Sequence, residues 1–193
     1  EEHAKQLKRR VDEDKDLTSL SDQEKKAIKQ AADEALDFLK KNPNASAIAI
    51  QEAEKKMNNT ADPIIDRAVA KRALENAANE LKNRVRDDPT LASLSEADKK
   101  KIIDQANEAL DWLKKNPNAN HGEILAKHKK FEDEVQPIIL KGELRSNLED
   151  TANSIKRRLE EDAVLSAGLT DEEKKKVNAI CDEVINFLKN NPN

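Results

Sequence analysis

The sequence predicts an all-α fold, a tandem array of three-helix-bundle repeats joined by long continuous helices, with the last repeat truncated. Three observations carry that expectation. Only three glycines and no tyrosine occur among 193 residues, of which 38% are charged, 36% hydrophobic and 2% aromatic. Such a composition favours helix over strand, because straight-chain residues and alanine lose little freedom in a helix. One segment recurs three times, and apolar residues return at three- and four-residue spacing between sharp start and stop signals.

The repeat is direct. DFLKKNPN at 37–44 returns as DWLKKNPN at 111–118 and as NFLKNNPN at 186–193, offsets of 74 and then 75 residues. Upstream, SLSDQEKKAI at 19–28 matches SLSEADKKKI at 93–102 and GLTDEEKKKV at 168–177. The extra residue falls in the loop around Asp162 to Gly168. Repeats of 1–72, 73–146 and 147–193 follow, the third lacking its last helix.

Each copy opens on a short helix A. Helix B then begins at an N-cap, Ser21, Ser95 or Thr170, with Glu24, Asp98 or Glu173 three positions later where a capping box needs a carboxylate. In the first copy Ile28, Ala31, Ala35, Phe38 and Leu39 share one face. Helix B stops at Lys-Asn or Asn-Asn before Pro43, Pro117 or Pro192, since proline disfavours helical geometry in the residue before it and cations suit a helix C-terminus.

Helix C starts near Ala45 or Asn120. Ile50, Met57, Ala61, Ile64 and Ile65 form its inner face, matched by Ile124, Phe131, Val135, Ile138 and Ile139. Pro63 and Pro137 should kink it, and Gly142 should allow a bend at the second junction. No glycine or proline interrupts Ile64 to Asp88, and Leu74, Ala78, Leu81 and Val85 keep the seam, so helix C runs on into helix A of the next copy. A fused helix of roughly 40 residues would be about 60 Å long, a strut between bundles in an elongated array.

Charge and composition narrow the function. Lys plus Arg number 35 against 39 Asp plus Glu, a net charge of -4 with the signs interleaved, so attraction to nucleic acid is weak. The clusters Lys8-Arg9-Arg10, Lys99-Lys100-Lys101, Lys156-Arg157-Arg158 and Lys174-Lys175-Lys176 are flanked by acids and lack stacking aromatics, as solvated faces do. No apolar run approaches the roughly 20 residues of a membrane span, and Glu1-Glu2-His3 does not start a signal peptide. A single cysteine, Cys181, excludes an internal disulfide and points to a reducing compartment, hence the cytoplasm.

Nothing in the residues builds a catalytic, cofactor or metal site, and no small-molecule substrate is expected. His121 and His128 stand seven apart, about 10 Å along a helix, whereas a shared metal wants ligands on adjacent turns. Glu132 lies one turn beyond His128, but two ligands do not make a site; His128 reads as a boundary residue beside Phe131, and His3 as a solvent residue. Cys181 replaces Ala32 and Ala106 on the buried stripe and reads as a small hydrophobe, although a truncated third copy would leave it partly uncovered. Phosphate-binding loops and nucleophile elbows are absent.

ALENAANELKNRV at 73–85, SEADKKKIIDQANEALDWLKKN at 95–116 and HKKFEDEVQPII at 128–139 resemble, in that order, the C-terminal helical lid of the seventy-kilodalton heat-shock chaperones. In that family a helix with a similar ALE and LKN pattern leads through an acidic turn to a helix ending in Trp-Leu, and then to a helix with an HK motif and an NPII-like end. The resemblance covers most of each copy and places Trp112 and Cys181 where the lid carries its tryptophan and cysteine. The departures are equally plain: this sequence has no nucleotide-binding domain, no β-sandwich and no acidic tail for co-chaperone docking, so those activities do not carry over. Alanine largely replaces the family's aromatic positions, and three lids joined by helix point to an engineered or generated array, with a fragment of a divergent natural repeat protein as the alternative.

Three functions follow as expectations. One is a non-enzymatic repeat scaffold, stabilised through neighbouring interfaces. Another is a protein-binding or self-associating module, in which an uncovered stripe on the third helix B, Val177, Ile180, Val184, Ile185 and Leu188, accepts a partner helix or, head to tail, another chain. The third is a chaperone-lid fragment that meets clients or co-chaperones.

Overall fold

The computed structural model describes residues 1–191. Its helices are α1 (Glu2–Glu13), α2 (Asp22–Lys41), α3 (Ala47–Asp87), α4 (Glu96–Lys115), α5 (His121–Glu161), α6 (Ala163–Gly168) and α7 (Asp171–Asn190), and no strand occurs among the described residues. Helix lengths recur along the chain. Helix B is 20 residues in each copy, as α2, α4 and α7, and the two fused C-A helices, α3 and α5, are 41 residues each.

Local chemistry sets these limits. Ser21 Oγ accepts from Glu24 N at 3.3 Å while Glu24 Oε2 accepts from Ser21 N at 2.8 Å, and Thr170 with Glu173 repeats the same two distances. Ser95 Oγ accepts from Asp98 N at 3.1 Å. At the far ends Asn42, Asn116 and Asn191 each donate both backbone N–H and side-chain Nδ2 to the carbonyl four residues back, on Phe38, Trp112 and Phe187. One asparagine thereby satisfies a carbonyl that a helix end would otherwise leave orphaned. Pro192, expected to help stop α7, lies outside the described residues.

The fused helices start at caps of their own. Ala49 N donates to Ser46 Oγ at 3.2 Å, and Asn120 with Glu123 forms a reciprocal pair at 2.7 and 3.0 Å. Helix α3 then passes through Pro63, and α5 through Pro137 and Gly142, without interruption. Both prolines are exposed, so the carbonyl that each leaves without a backbone donor is open to water.

Between A and B the chain makes a short acid-capped turn. Asp14 accepts from Asp16 N, Asp88 from Thr90 N, and Asp162 from Val164 N and Leu165 N. The first two turns close with a hydrogen bond to the third residue on, Leu17 N to Asp14 O and Leu91 N to Asp88 O. The third closes one residue later, Ser166 N to Asp162 O at 2.8 Å. The additional residue of the third repeat has thus turned a 3-10 turn into one turn of α-helix, α6.

The chain divides into two compact units, Glu1–Ala77 with Leu110–His128, and Ala78–Ala109 with Lys129–Asn193. In the first, Ala4, Leu7 and Val11 of α1, Ile28, Ala31 and Ala32 of α2, and Met57, Ala61, Ile65 and Ala68 of α3 form one core, closed below by Leu17 and Leu20. Leu17 and Ile28 are wholly buried, each contributing about 1.5–3 kcal/mol by leaving water. Ile50, expected on the inner face, is 40% exposed: it lines a small cavity with Ala4, Ala35 and Ala53, whose methyl groups are too short to close over it.

In the second unit Leu91, Leu94 and Ile102 repeat the places of Leu17, Leu20 and Ile28, and are 0%, 4% and 0% exposed. Here Gly142 replaces Ala68. It brings the α5 backbone close to the acid-capped turn, Ser93 Oγ donating to Gly142 O at 3.4 Å. Among the described residues no polar or charged side chain is buried. Helix pairing therefore rests on apolar faces, with ion pairs at their margins.

Candidate functional site

Cross-helix polar pairs recur at the repeat offset. Between helices A and B, Lys8 Nζ reaches Asp33 at 2.5 Å, Lys82 Nζ reaches Asn107 at 2.8 Å, and Lys156 Nζ reaches Asp182 at 2.6 Å. Between helices B and C, Arg67 pairs with Glu24 and, one repeat on, Lys141 with Asp98 at 2.7 Å. Lys56 adds a second B–C pair, to Glu34 at 2.9 Å. Each pair joins the margins of an apolar seam.

The third repeat keeps the A–B pairing and leaves the C side of its seam open. Leu7 and its repeat equivalent Leu81 are 5% exposed, but the third equivalent, Ile155, is 38% exposed; Leu74 is 0% exposed and its equivalent Leu148 is 44% exposed. On α7, Ile180 is 60% and Phe187 61% exposed, where the equivalents in the first copy are the buried Ala31 and the half-buried Phe38. Val177 and Val184 are half-buried. These four α7 residues fall at i, i+3, i+7 and i+10, one stripe of a helix. In the first copy Leu7, Ile28 and Ala31 meet in one core; by repeat equivalence Ile155 and Leu148 of α5 and the α7 stripe are the two walls of an apolar groove, left exposed here.

The five residues expected on that stripe do not share one environment. Val177, Ile180 and Val184 border the groove. Leu188 is 7% exposed, and its carbonyl, with that of Asn191, accepts from the Arg145 guanidinium of α5 at 2.5 and 2.6 Å. Ile185 lies half-buried on the same side as Leu188 and Cys181. The residue that periodicity could have supplied instead is Phe187, which falls one helical turn beyond Val184 but stands where the other repeats carry a half-buried aromatic.

Cys181 is 4% exposed and free, packed as the small hydrophobe that its place on the stripe predicts; the opening of the third copy does not reach it. His121 is exposed and His128 half-buried; among the described residues no three His, Cys, Asp or Glu side chains are grouped to hold a metal. His3 is half exposed, its Nδ1 2.9 Å from Glu54 Oε1 across α1 and α3. Each basic cluster has at least one cation in an ion pair: Arg9 pairs with Glu2, Arg10 with Asp14, Lys100 with Asp104, Lys156 with Asp182 and Lys176 with Glu172. A second groove, of about 560 Å³, runs between α2 and α3 over Phe38, Ala53 and Met57, with Lys41, Glu52 and Thr60 at its rim.

Local partners lower the pKa of several carboxylates. Lys141 draws the Asp98 carboxyl below its usual range, with Ser95 assisting, and Lys56 and Gln30 lower Glu34. The side chain and N–H of Thr90, with Arg84, lower Asp88, while Thr170 lowers Glu173. Every displaced acid moves downward, away from the neutral range in which a general acid operates. No helix is long and apolar enough to cross a membrane among the described residues.

No protein-family model matches the chain. Among curated proteins it is similar to Allergen MAG29 of Dermatophagoides farinae, 37% identical over 76 residues, which is 39% of this chain and 52% of that protein. The chain thus spans about half the length of this relative, and the matched stretch is close to one 74-residue repeat.

Proposed function

We propose that this chain is a non-enzymatic helical repeat scaffold, engineered or generated from a unit like the chaperone lid, whose third repeat presents an apolar groove for a helix. The observation that carries the scaffold reading is the threefold A–B pairing of Lys8, Lys82 and Lys156 with Asp33, Asn107 and Asp182. Its recurrence at equivalent positions supports a geometry specified unit by unit, as solenoid stability requires. The acids whose pKa is displaced, Asp98, Glu34, Asp88 and Glu173 among them, are all displaced downward by structural partners, which favours structural over catalytic work for those groups. Size-exclusion light scattering with small-angle scattering over a concentration series tests it. A constant mass of 21.7 kDa supports a self-contained scaffold, and a mass that climbs with concentration replaces it with a self-associating module.

The exposure of Ile180 and Phe187 favours the second reading, a helix-in-groove binding module. The chaperone-lid resemblance supports a third, contact with unfolded clients, which ends if the chain fails to slow aggregation of a denatured client at equimolar ratio. Such a scaffold suits a reducing, cytoplasmic compartment, on the strength of its single buried thiol.

A further inference from the structure

We infer that the groove of the third repeat accepts a helix with an apolar stripe and two basic residues eleven positions apart, running antiparallel to α7. The inference rests on the binding-module reading above and names the partner's chemistry. Repeat equivalence supplies the template. In the first copy the face of α2 that corresponds to the open face of α7 lies in one core with Met57, Ala61 and Ile65 of α3. Two cations of that same α3 segment, Lys56 and Arg67, meet two carboxylates of α2, Glu34 and Glu24.

The third repeat retains both acceptors. Glu183 is the equivalent of Glu34, and Glu173 that of Glu24. Glu183 is exposed, and no cation is paired with it among the described residues. Glu173 spends Oε2 on Thr170, while Oε1, the atom that takes Arg67 in Glu24, has no cation beside it among the described residues. Apolar walls and unpaired acids together define an occupant more narrowly than either alone. The partner places its first cation at Glu183 and the second, three turns later, at Glu173; the apolar residues between them cover Ile180, Val184 and Phe187. The antiparallel order follows from the template, where the lower-numbered cation meets the higher-numbered acid.

The test uses the full chain and a fluorescent peptide of residues 45–71, cross-linked by i,i+4 lactams on its outer face so that it is helical before it binds. Fluorescence anisotropy is expected to show saturable one-to-one binding. Ile180→Asp with Phe187→Asp in the chain is expected to weaken it at least tenfold, and both positions are exposed enough for the variant to fold. A peptide with Lys56→Glu and Arg67→Glu is expected to bind at least tenfold more weakly, and Glu183→Gln to weaken binding severalfold and flatten its salt dependence. Absence of saturation up to roughly 1 mM, or equal binding by the charge-reversed peptide, overturns the inference. So does a mass that rises with chain concentration without peptide and is restored by Ile180→Asp, since the groove then belongs to a second copy. Far-UV circular dichroism on the same samples separates the failures: a chain that is not helical defeats the scaffold reading, and a helical chain that does not bind defeats only this one.

Discussion

Gly142 and Leu94 stand so close that a Cβ added to the glycine would lie 3.0 Å from Leu94 Cγ and 3.2 Å from its Cδ2, with Leu91 Cδ2 also at 3.0 Å. In the first repeat Ala68 occupies the same place, 3% exposed, over Leu17 and Leu20. The position therefore tolerates one carbon when the leucines sit slightly further off. Gly142→Ala is expected to leave stability within about 1 kcal/mol, the gain in helix propensity offsetting the closer approach. Gly142→Val is expected to cost about 1–3 kcal/mol through overpacking. Urea unfolding at constant m-value measures both, and a Val variant as stable as the parent would show that the turn yields freely.

Asp98 joins two structural devices, the N-cap of α4 and the pair with Lys141. Its pKa is lowered in the folded chain, so its contribution is fully present above the ordinary aspartate value of about 3.9 and fades as the pH falls through the lower folded value. Acid unfolding followed by helix signal should accordingly lose one step of its pH dependence in Asp98→Asn. The variant is expected to be less stable at neutral pH and to converge on the parent near pH 2. Parallel curves for the two proteins would remove Asp98 from the account.

The second repeat alone has a neutral acceptor in its A–B pair, Asn107 opposite Lys82. Asn107→Asp restores the charge found at Asp33 and Asp182. Because such pairs are exposed, the expected gain is small, about 0.2–1 kcal/mol at low salt and less at 1 M salt. Thermal unfolding at two ionic strengths reads it, and a destabilised variant would mean that Asn107 has been chosen for something other than this contact.

Arg145 places its guanidinium on the last carbonyls of α7, at Leu188 and Asn191. A cation at a partly buried helix C-terminus is worth up to about 2 kcal/mol. Arg145→Ala is expected to cost about 1–2 kcal/mol and to speed amide exchange in the final turn of α7 ahead of its first. Uniform exchange along the helix would show that the apolar seam, and not the arginine, holds that end.

The sequence disclosed what depends on a single helix. Capping boxes at Ser21 and Thr170, asparagine stops at Asn42 and Asn116, and the lack of any helix breaker through 64–88 are all local signals, and α2, α3, α5 and α7 follow them to within two residues. Relationships between helices were hidden, because they depend on the rotational phase at which two helices meet. Lys8, Lys82 and Lys156 are lysines among many until the A–B geometry brings them to one acceptor position. For the same reason Leu188 was grouped with Ile180: helical spacing puts both on the apolar half of α7, and only the position of α5 divides that half into a covered and an open part. The Asn120 and Glu123 cap is ambiguous in sequence, since asparagine after Pro117 also suits a plain turn.

An inserted residue inside a helix rotates everything after it by about 100°, which would carry α7 off its seam. In the third repeat the insertion sits between Asp162 and Thr170, two capped boundaries, and only the pitch of one turn changes. The pairing across it survives intact, Lys156 to Asp182 at 2.6 Å against 2.5 Å for Lys8 to Asp33. The acid-capped turns act as expansion joints: length can vary there while the bundle keeps its phase.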